Sequence, residues 1–474
     1  MREQISLSGS IAWYSIGSLF IRSFSFLLLP LYSNLISTGE FGDYALIMSL
    51  YAIISVFYQA GMQSGLTKFY LEEKTTGKRR EIFSTILNFL VISGAILTIV
   101  IIFFSKEISF AVLNSIKYDE LINLIFLSLF IETLGNFCLH LLKTKEAPRS
   151  VVIYSSIAGT ANLIFNIILV YFLKLSIKGI ILSQLFASFL LLLIVLPMVK
   201  KNYIFTIKKN ILNQIIKFSY PLIFAGLLSA AVDFSDRFIL NHFLNSAEVG
   251  IYSFSYRIAM IMFLFVIAFR TAWMPRAINL YGKGKYEISF GNTFNKLLAV
   301  SFMILLTVSL MADYLFKFRI GNFHFFNLQY ESGVVIIPFI LVGYLFAGIS
   351  SFFSVYPFIS GKSKHFLVSD MLAFVFNIIL NFWLIPIYGL LGAAFATTIS
   401  LMLSAIYLFI VSKDKIKIYY DIKEIVLLTV TALLFLIIGL QLKEFILDIF
   451  LLMLYLGIIQ FFTKIKLNKS ITLI

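Results

Sequence analysis

Fourteen times along this 474-residue chain, roughly twenty residues pass with few or no charges. A helix rises about 1.5 Å per residue, so roughly 20 apolar residues match a hydrocarbon core of about 30 Å. Inside that core the backbone finds no water, and a crossing segment satisfies its polar groups only by closing into a helix. The runs fall near 11–36, 44–66, 83–104, 121–142, 150–172, 178–199 and 215–240, and then near 250–272, 294–315, 333–357, 365–386, 389–411, 423–441 and 445–462. They are numbered here as spans one to fourteen. The fold class that follows is an all-α polytopic membrane protein of about 14 transmembrane helices. With 60% of residues apolar and 13% charged, a water-facing surface could not be covered. The first run is too long for the apolar part of a secretion signal, carries Arg22 and lacks a small-residue cleavage site, so it reads as a span.

Net charge is +15, and where the cations sit explains it. With the N-terminus in the cytoplasm, 28 of the 38 lysines and arginines fall in inner segments and 7 in outer ones, leaving three arginines within spans. Cytoplasmic loops of membrane proteins carry such an excess, so the basic surplus records topology and implies no nucleic-acid partner. Both termini are placed on the cytoplasmic side of the membrane, with membrane lipid as the surrounding partner. The outer loops near 105–120 and 316–332 have room for a short helix and no folded domain. The single cysteine, Cys138, excludes an intrachain disulfide, and the four histidines lack metal-ligand spacing. No phosphate-binding GxxxxGK[ST] loop occurs, so the chain is not itself an ATPase.

The chain repeats itself. Glu40-Phe41-Gly42-Asp43-Tyr44 opens span two and Glu248-Val249-Gly250-Ile251-Tyr252 opens span eight. Phe165-Asn166-Ile167-Ile168-Leu169 in span five recurs as Phe376-Asn377-Ile378-Ile379-Leu380 in span eleven, and Gly179 is followed at nearly the same interval by Gly389. Matches in one order and at nearly one offset predict two parallel six-helix lobes, related by a pseudo-two-fold along the membrane normal, with a cavity between them. The corresponding divisions are 1–212, 213–412 and a terminal helix pair over 413–474.

At the span eleven–twelve hairpin the residues run from Asn377 through Asn381, Leu384, Ile385, Pro386, Gly389, Gly392, Ala393, Ala394 and Ala396 to Thr397. This resembles the N-x-x-L-N-x-x-L-I-P-x-x-G-x-x-G-A-A-x-A-T pattern of the polysaccharide-exporter family, within the multidrug/oligosaccharidyl-lipid/polysaccharide (MOP) exporter superfamily. A second likeness is Asp236-Arg237-Phe238-Ile239-Leu240-Asn241 followed by Glu248, Gly250 and Tyr252. The physical sense is direct: asparagines bond within the bundle, Pro386 and Gly389 form the turn, and small residues allow close packing. The resemblance implies a flippase that moves an undecaprenyl-diphosphate-linked oligosaccharide, such as an O-antigen unit, from the inner to the outer leaflet by alternating access. It leaves open an association with polysaccharide polymerase or chain-length proteins.

Charges inside spans need a reason, because each costs about 3 kcal/mol or more to insert. Arg237 lies about seven residues before the end of span seven and Arg257 about seven after the start of span eight, which predicts similar depths. Asp233 is one turn from Arg237 and is placed to pair with it, while Asp236 projects about 100° away. Arg22 stands near the middle of span one. Around one cleft, Arg22, Arg237 and Arg257 with Asp233 and Asp236 would suit a diphosphate, since guanidinium gives it bidentate, charge-assisted bonds. The competing reading is an ion-pair network that only neutralises buried charge. Glu132, midway along span four with no partner on its own helix, is the candidate for proton or sodium coupling, and no other cofactor is implied. Asp370 is expected to answer Lys362 or Lys364 at the interface.

A lipid II flippase shares the requirement for a cationic cleft and a terminal helix pair. A cation-coupled drug exporter of the superfamily fits less well, because a cationic cleft repels cationic drugs. A membrane-embedded glycan polymerase or ligase would need a large outer catalytic loop, which this chain does not contain; the chain reads as a non-enzyme.

Overall fold

The computed structural model describes residue 24 and residues 26–284, 286–321, 323–362 and 364–471. Among these residues thirteen helical segments are long and apolar enough to cross a bilayer. Spans two to seven are Thr38–Glu72, Thr76–Phe103, Ile116–Thr144, Pro148–Phe172, Ser176–Asn202 and Lys209–Phe243. Spans eight to fourteen are Ser246–Gly282, Glu287–Lys317, Leu328–Ile359, Lys364–Tyr388, Leu390–Lys413, Ile422–Leu442 and Phe445–Phe462. Most of the predicted first span lies outside the described residues; its end forms the short helix Leu29–Leu35.

Several helices outrun their apolar cores. Span seven holds 35 residues and span eight 37, about 52 and 55 Å of helix, so both continue past the roughly 30 Å that hydrocarbon requires. Hydropathy marks only where a helix must be apolar, and polar turns can extend it. The loops near 105–120 and 316–332 are as small as predicted: Ser105–Leu113 is a short helix, and Arg319–Ile320 pairs with Phe323–His324 around Gly321 as a two-residue-stranded hairpin.

The chain divides into two compact units, one up to Asn241 together with Asn245–Gly250, the other His242–Leu244 with the rest of the chain from Ile251. Within the first, span four packs on spans two, three and six, and span five on span six. Within the second, span ten packs on nine and twelve, and eleven on twelve. The two patterns correspond, and so do the repeated asparagines. Asn166 and Asn377 are each buried at 1% and 0% exposure, where an amide has no water to bond. Asn166 accepts from Tyr32 Oη at 2.7 Å, while Asn377 accepts from Asn381 Nδ2 at 2.9 Å and donates to Thr397 Oγ1 at 3.3 Å. Spans thirteen and fourteen both lie on span nine.

The repeated Glu-x-Gly motifs meet. A Cβ on Gly42 would run into the Ser246 carbonyl, and a Cβ on Gly250 into the Thr38 carbonyl, so glycine at both positions lets the two backbones touch. Ser37 and Glu40 cap the start of span two reciprocally. Span two then breaks in its middle. Ala60 and Gly61 take φ of 46° and 65°, ending one helix at Gln59 and starting the next at Met62. A left-handed alanine costs about 1–2 kcal/mol, and contacts with span seven hold the break. Ser219 Oγ donates to the Gly61 carbonyl at 3.2 Å, and Lys68 lies 4.3 Å from the Phe218 ring.

At the span eleven–twelve hairpin, Pro386 sits inside the last turn of span eleven, and the turn itself is made by Gly389, with φ 56°. Gly392 abuts the Leu384 carbonyl, and Ala393 and Ala394 are fully buried, so the small residues do permit close packing.

Candidate functional site

Span seven brings three of the five candidate cleft residues together. Arg237 is 6% exposed and Asp236 1%. Arg237 Nη1 donates to Asp236 Oδ1 at 2.9 Å and to the backbone carbonyl of Asp233 at 2.6 Å, and the guanidinium carbon lies 5.1 Å from the Phe234 ring. The expected pairing is corrected here. It is the carboxylate of Asp236, adjacent in sequence, that forms the ion pair, and Asp233 contributes its carbonyl. Cβ directions put Asp236 about 100° around the helix, but an arginine chain is long enough to fold back over its neighbour, so Cβ spacing alone misjudges its reach. Asp233 remains within electrostatic reach of both Arg237 and Asp236.

Arg257 belongs to the second unit, half-buried in span eight between buried Tyr256 and Ile258. Tyr256 there accepts a 2.9 Å bond from Tyr344 of span ten. Arg22 lies outside the described residues.

Glu132 is the centre of a second polar cluster. Its Oε2 accepts from Tyr51 Oη at 2.5 Å and from Gln184 Nε2 at 3.1 Å, and its Oε1 accepts from Asn136 Nδ2 at 3.3 Å. Gln184 Nε2 also reaches Tyr51 Oη at 3.1 Å. Spans two, four and six thus converge on one half-buried carboxyl group. The sequence reading that Glu132 has no partner on its own helix is overturned by Asn136, one turn on. Tyr51 and Asn136 went unnoticed in the sequence; a phenol in an apolar run carries no signal until the partner span is known.

The same solution recurs. Buried Asp43 accepts from Tyr118, Glu424 from Asn295, and Asp448 from Tyr314 at 2.7 Å. A carboxyl group out of water is thus met by a neutral hydroxyl or amide donor, which stabilises it without importing a second charge. Asp370 makes no ion pair with Lys362 or Lys364 within 4 Å; its electrostatic neighbour is Arg270 of span eight. Six residues separate Asp370 from Lys364, about 9 Å along the helix and on a different face at about 100° per residue, so its charge meets Arg270 instead.

A bundle of long apolar helices with charged and amide-rich clusters inside its spans defines a multi-pass membrane protein of transporter architecture. Its sequence agrees with the model of the family described as "Polysaccharide biosynthesis protein" over residues 7–280, and with the MatE model over residues 221–383. The chain therefore belongs to the polysaccharide biosynthesis protein family, the polysaccharide exporters of the MOP superfamily. It is similar to a "Putative O-antigen transporter" of Shigella flexneri, 21% identical over 78% of this chain and 88% of that one. It is also similar to "Capsular polysaccharide biosynthesis protein CapF" of Staphylococcus aureus, 24% identical over 64% of this chain and 84% of that one. In fold it resembles the lipid II flippase MurJ in an inward closed conformation, with a TM-score of 0.79 and 19% identity over 96% of this chain and 99% of that one.

Proposed function

We propose that this protein is a flippase carrying an undecaprenyl-diphosphate-linked oligosaccharide from the cytoplasmic to the outer leaflet of a bacterial inner membrane by alternating access. The observation that carries this reading is the family match over more than half of the chain, in a protein built of membrane-crossing helices. The O-antigen and capsular relatives favour an oligosaccharide over lipid II as cargo.

In this reading Arg22 and Arg257 hold the diphosphate, because a guanidinium offers paired donors that a lysine does not. Arg237, with Nη1 committed to Asp236 and to the Asp233 carbonyl, sets the field around the head group, and Asp233 and Asp236 keep it oriented. The prenyl tail follows spans thirteen and fourteen. Between them lies an open cavity of about 420 Å³ lined by Leu427, Phe450, Met453, Leu454, Ile458 and Phe461, mostly apolar and suited to an isoprenoid. Glu132 is the coupling acid: among the described residues its carboxyl group is bonded by three neutral donors and paired with no cation, so it can take up the coupling ion without breaking an ion pair. Both termini lie in the cytoplasm, as the lysine and arginine distribution requires.

The test is genetic and biochemical. Deletion is expected to strand lipid-linked repeat units on the inner leaflet, measured by their protection from an externally added glycosidase. Complementation with Arg22→Ala or Arg257→Ala restores protein but not export, and the lysine versions restore part of it. Normal surface glycan in the deletion strain, with no second exporter present, refutes the flippase reading. Normal export by both alanine variants refutes the assignment of the arginines.

A further inference from the structure

Between spans six and seven the chain runs as a non-helical strap, residues 203–208, bent at Phe205 and tied down rather than free. One face of span three stitches it down. Ser84 Oγ accepts from the Ile204 amide at 2.9 Å, and Thr85 Oγ1 accepts from the Lys208 amide at 3.2 Å. Asn88 Nδ2 donates to the Thr206 carbonyl at 3.0 Å, and Asn88 Oδ1 accepts from Tyr203 Oη at 2.9 Å. Residues 84, 85 and 88 share one helical face, and the strap groups they hold belong to 203, 204, 206 and 208. The residues between are turned the other way. Phe205 is 94% exposed and Ile207 50%. A phenylalanine held that far out, on a strap fixed by four hydrogen bonds, is being presented to something.

Depth says to what. Glu81 is the last charge before the uncharged stretch of span three, and Ser84 and Asn88 follow it by three and seven residues, about 4.5 and 10 Å along the helix. That is the interfacial layer, between the headgroups and the acyl chains, where aromatic rings settle. Charge agrees. Lys200 and Lys201 precede the strap, and Lys208 and Lys209 end it, all exposed, with Lys208 Nζ also 3.9 Å from Glu81. Lysines flanking an aromatic at this level match anionic phospholipid headgroups. We propose that residues 203–208 are an interfacial anchor. Phe205 and Ile207 enter the cytoplasmic leaflet while Lys200, Lys201, Lys208 and Lys209 engage anionic phospholipid, and Ser84, Thr85 and Asn88 position the strap. The anchor fixes the inner ends of spans three, six and seven to the leaflet. It is independent of the cargo and of transport.

The experiment uses the full chain, with Cys138→Ser and a nitroxide on Phe205→Cys, in bilayers of phosphatidylcholine with or without phosphatidylglycerol. Collision of the label with oxygen, which concentrates in lipid, is compared with collision with a water-soluble nickel chelate; Asp414→Cys in an inner loop is the aqueous reference. Oxygen collisions are expected to exceed nickel collisions severalfold at 205 and to fall below them at 414, with the label seated deeper when phosphatidylglycerol is present. Asn88→Leu, or Ser84→Ala with Thr85→Val, is expected to loosen the label and raise its nickel accessibility. Neutralising the four lysines to glutamine removes the phosphatidylglycerol effect. Nickel-dominated collisions at 205 overturn the anchor. Equal depth in both bilayers overturns the anionic-lipid partner, and an unchanged label in the span three variants overturns the positioning role.

Discussion

Removing the carboxylate of Asp236 isolates the physics of the span seven site. The ion pair joins Arg237 Nη1 to Asp236 Oδ1 at 2.9 Å, with the side chains 8% and 1% exposed. At an effective dielectric of about 20 that separation corresponds to a gross attraction of roughly 6 kcal/mol. Much of this offsets the cost of taking both charges out of water, so the pair adds little net stability. Breaking it is another matter, because Asp236→Ala takes the bonded carboxylate from a buried guanidinium, and the expected loss is about 3–5 kcal/mol. The Asp233 carbonyl and the Phe234 ring remain beside the guanidinium, which puts the expected value at the lower end, about 3 kcal/mol. That is a little over a hundredfold in the folding equilibrium at about 1.4 kcal/mol per decade. Asp236→Leu combined with Arg237→Met removes both charges and is expected to lie within about 1 kcal/mol of the parent protein. The assay is the apparent melting temperature of detergent-purified protein, read from the monodisperse fraction after heating, alongside surface-glycan export in cells. Asp236→Ala melting with the parent, or the double variant melting as low as the single, refutes the reasoning. The double variant also separates the two roles of Arg237. Stable protein without export marks a ligand, and stable protein with full export marks a scaffold.

Two further outcomes follow from the same geometry. Tyr51→Phe deletes the 2.5 Å donor to Glu132 but leaves Gln184 and Asn136, so a loss of about 1–2 kcal/mol in thermal stability is expected, and a melting temperature equal to the parent's shows that the phenol adds nothing to the cluster. Gly61→Ala places a Cβ 2.9 Å from the Ser219 carbonyl at a φ of 65°, and about 1–3 kcal/mol of destabilisation is expected by the same melting assay, whereas an unchanged melting temperature shows that the break in span two relaxes freely.

Some of this chemistry was readable in advance because it is local. The Asn377–Asn381 pair, the Gly389 turn and the small residues after it are set by neighbours a turn or two away, and each appears where its spacing placed it. Asp236 and Tyr51 were misjudged or missed for opposite reasons. For Asp236 the signal lay in side-chain length, which Cβ geometry does not carry. For Tyr51 it lay in a partner 81 positions along the chain.

Sequence alone determined that this chain lives in a bilayer, how often it crosses and which loops carry the cations, because hydrocarbon imposes those terms on every segment separately. It also disclosed the repeat, since Asn166 and Asn377 occupy matching positions and both are buried. Tertiary structure decided which helix faces which. An apolar helix shows much the same surface to lipid and to another helix, so hydropathy gives no azimuth, and partners such as Tyr51 with Glu132, Tyr314 with Asp448 or span three with the 203–208 strap appear only once packing has chosen the facing sides.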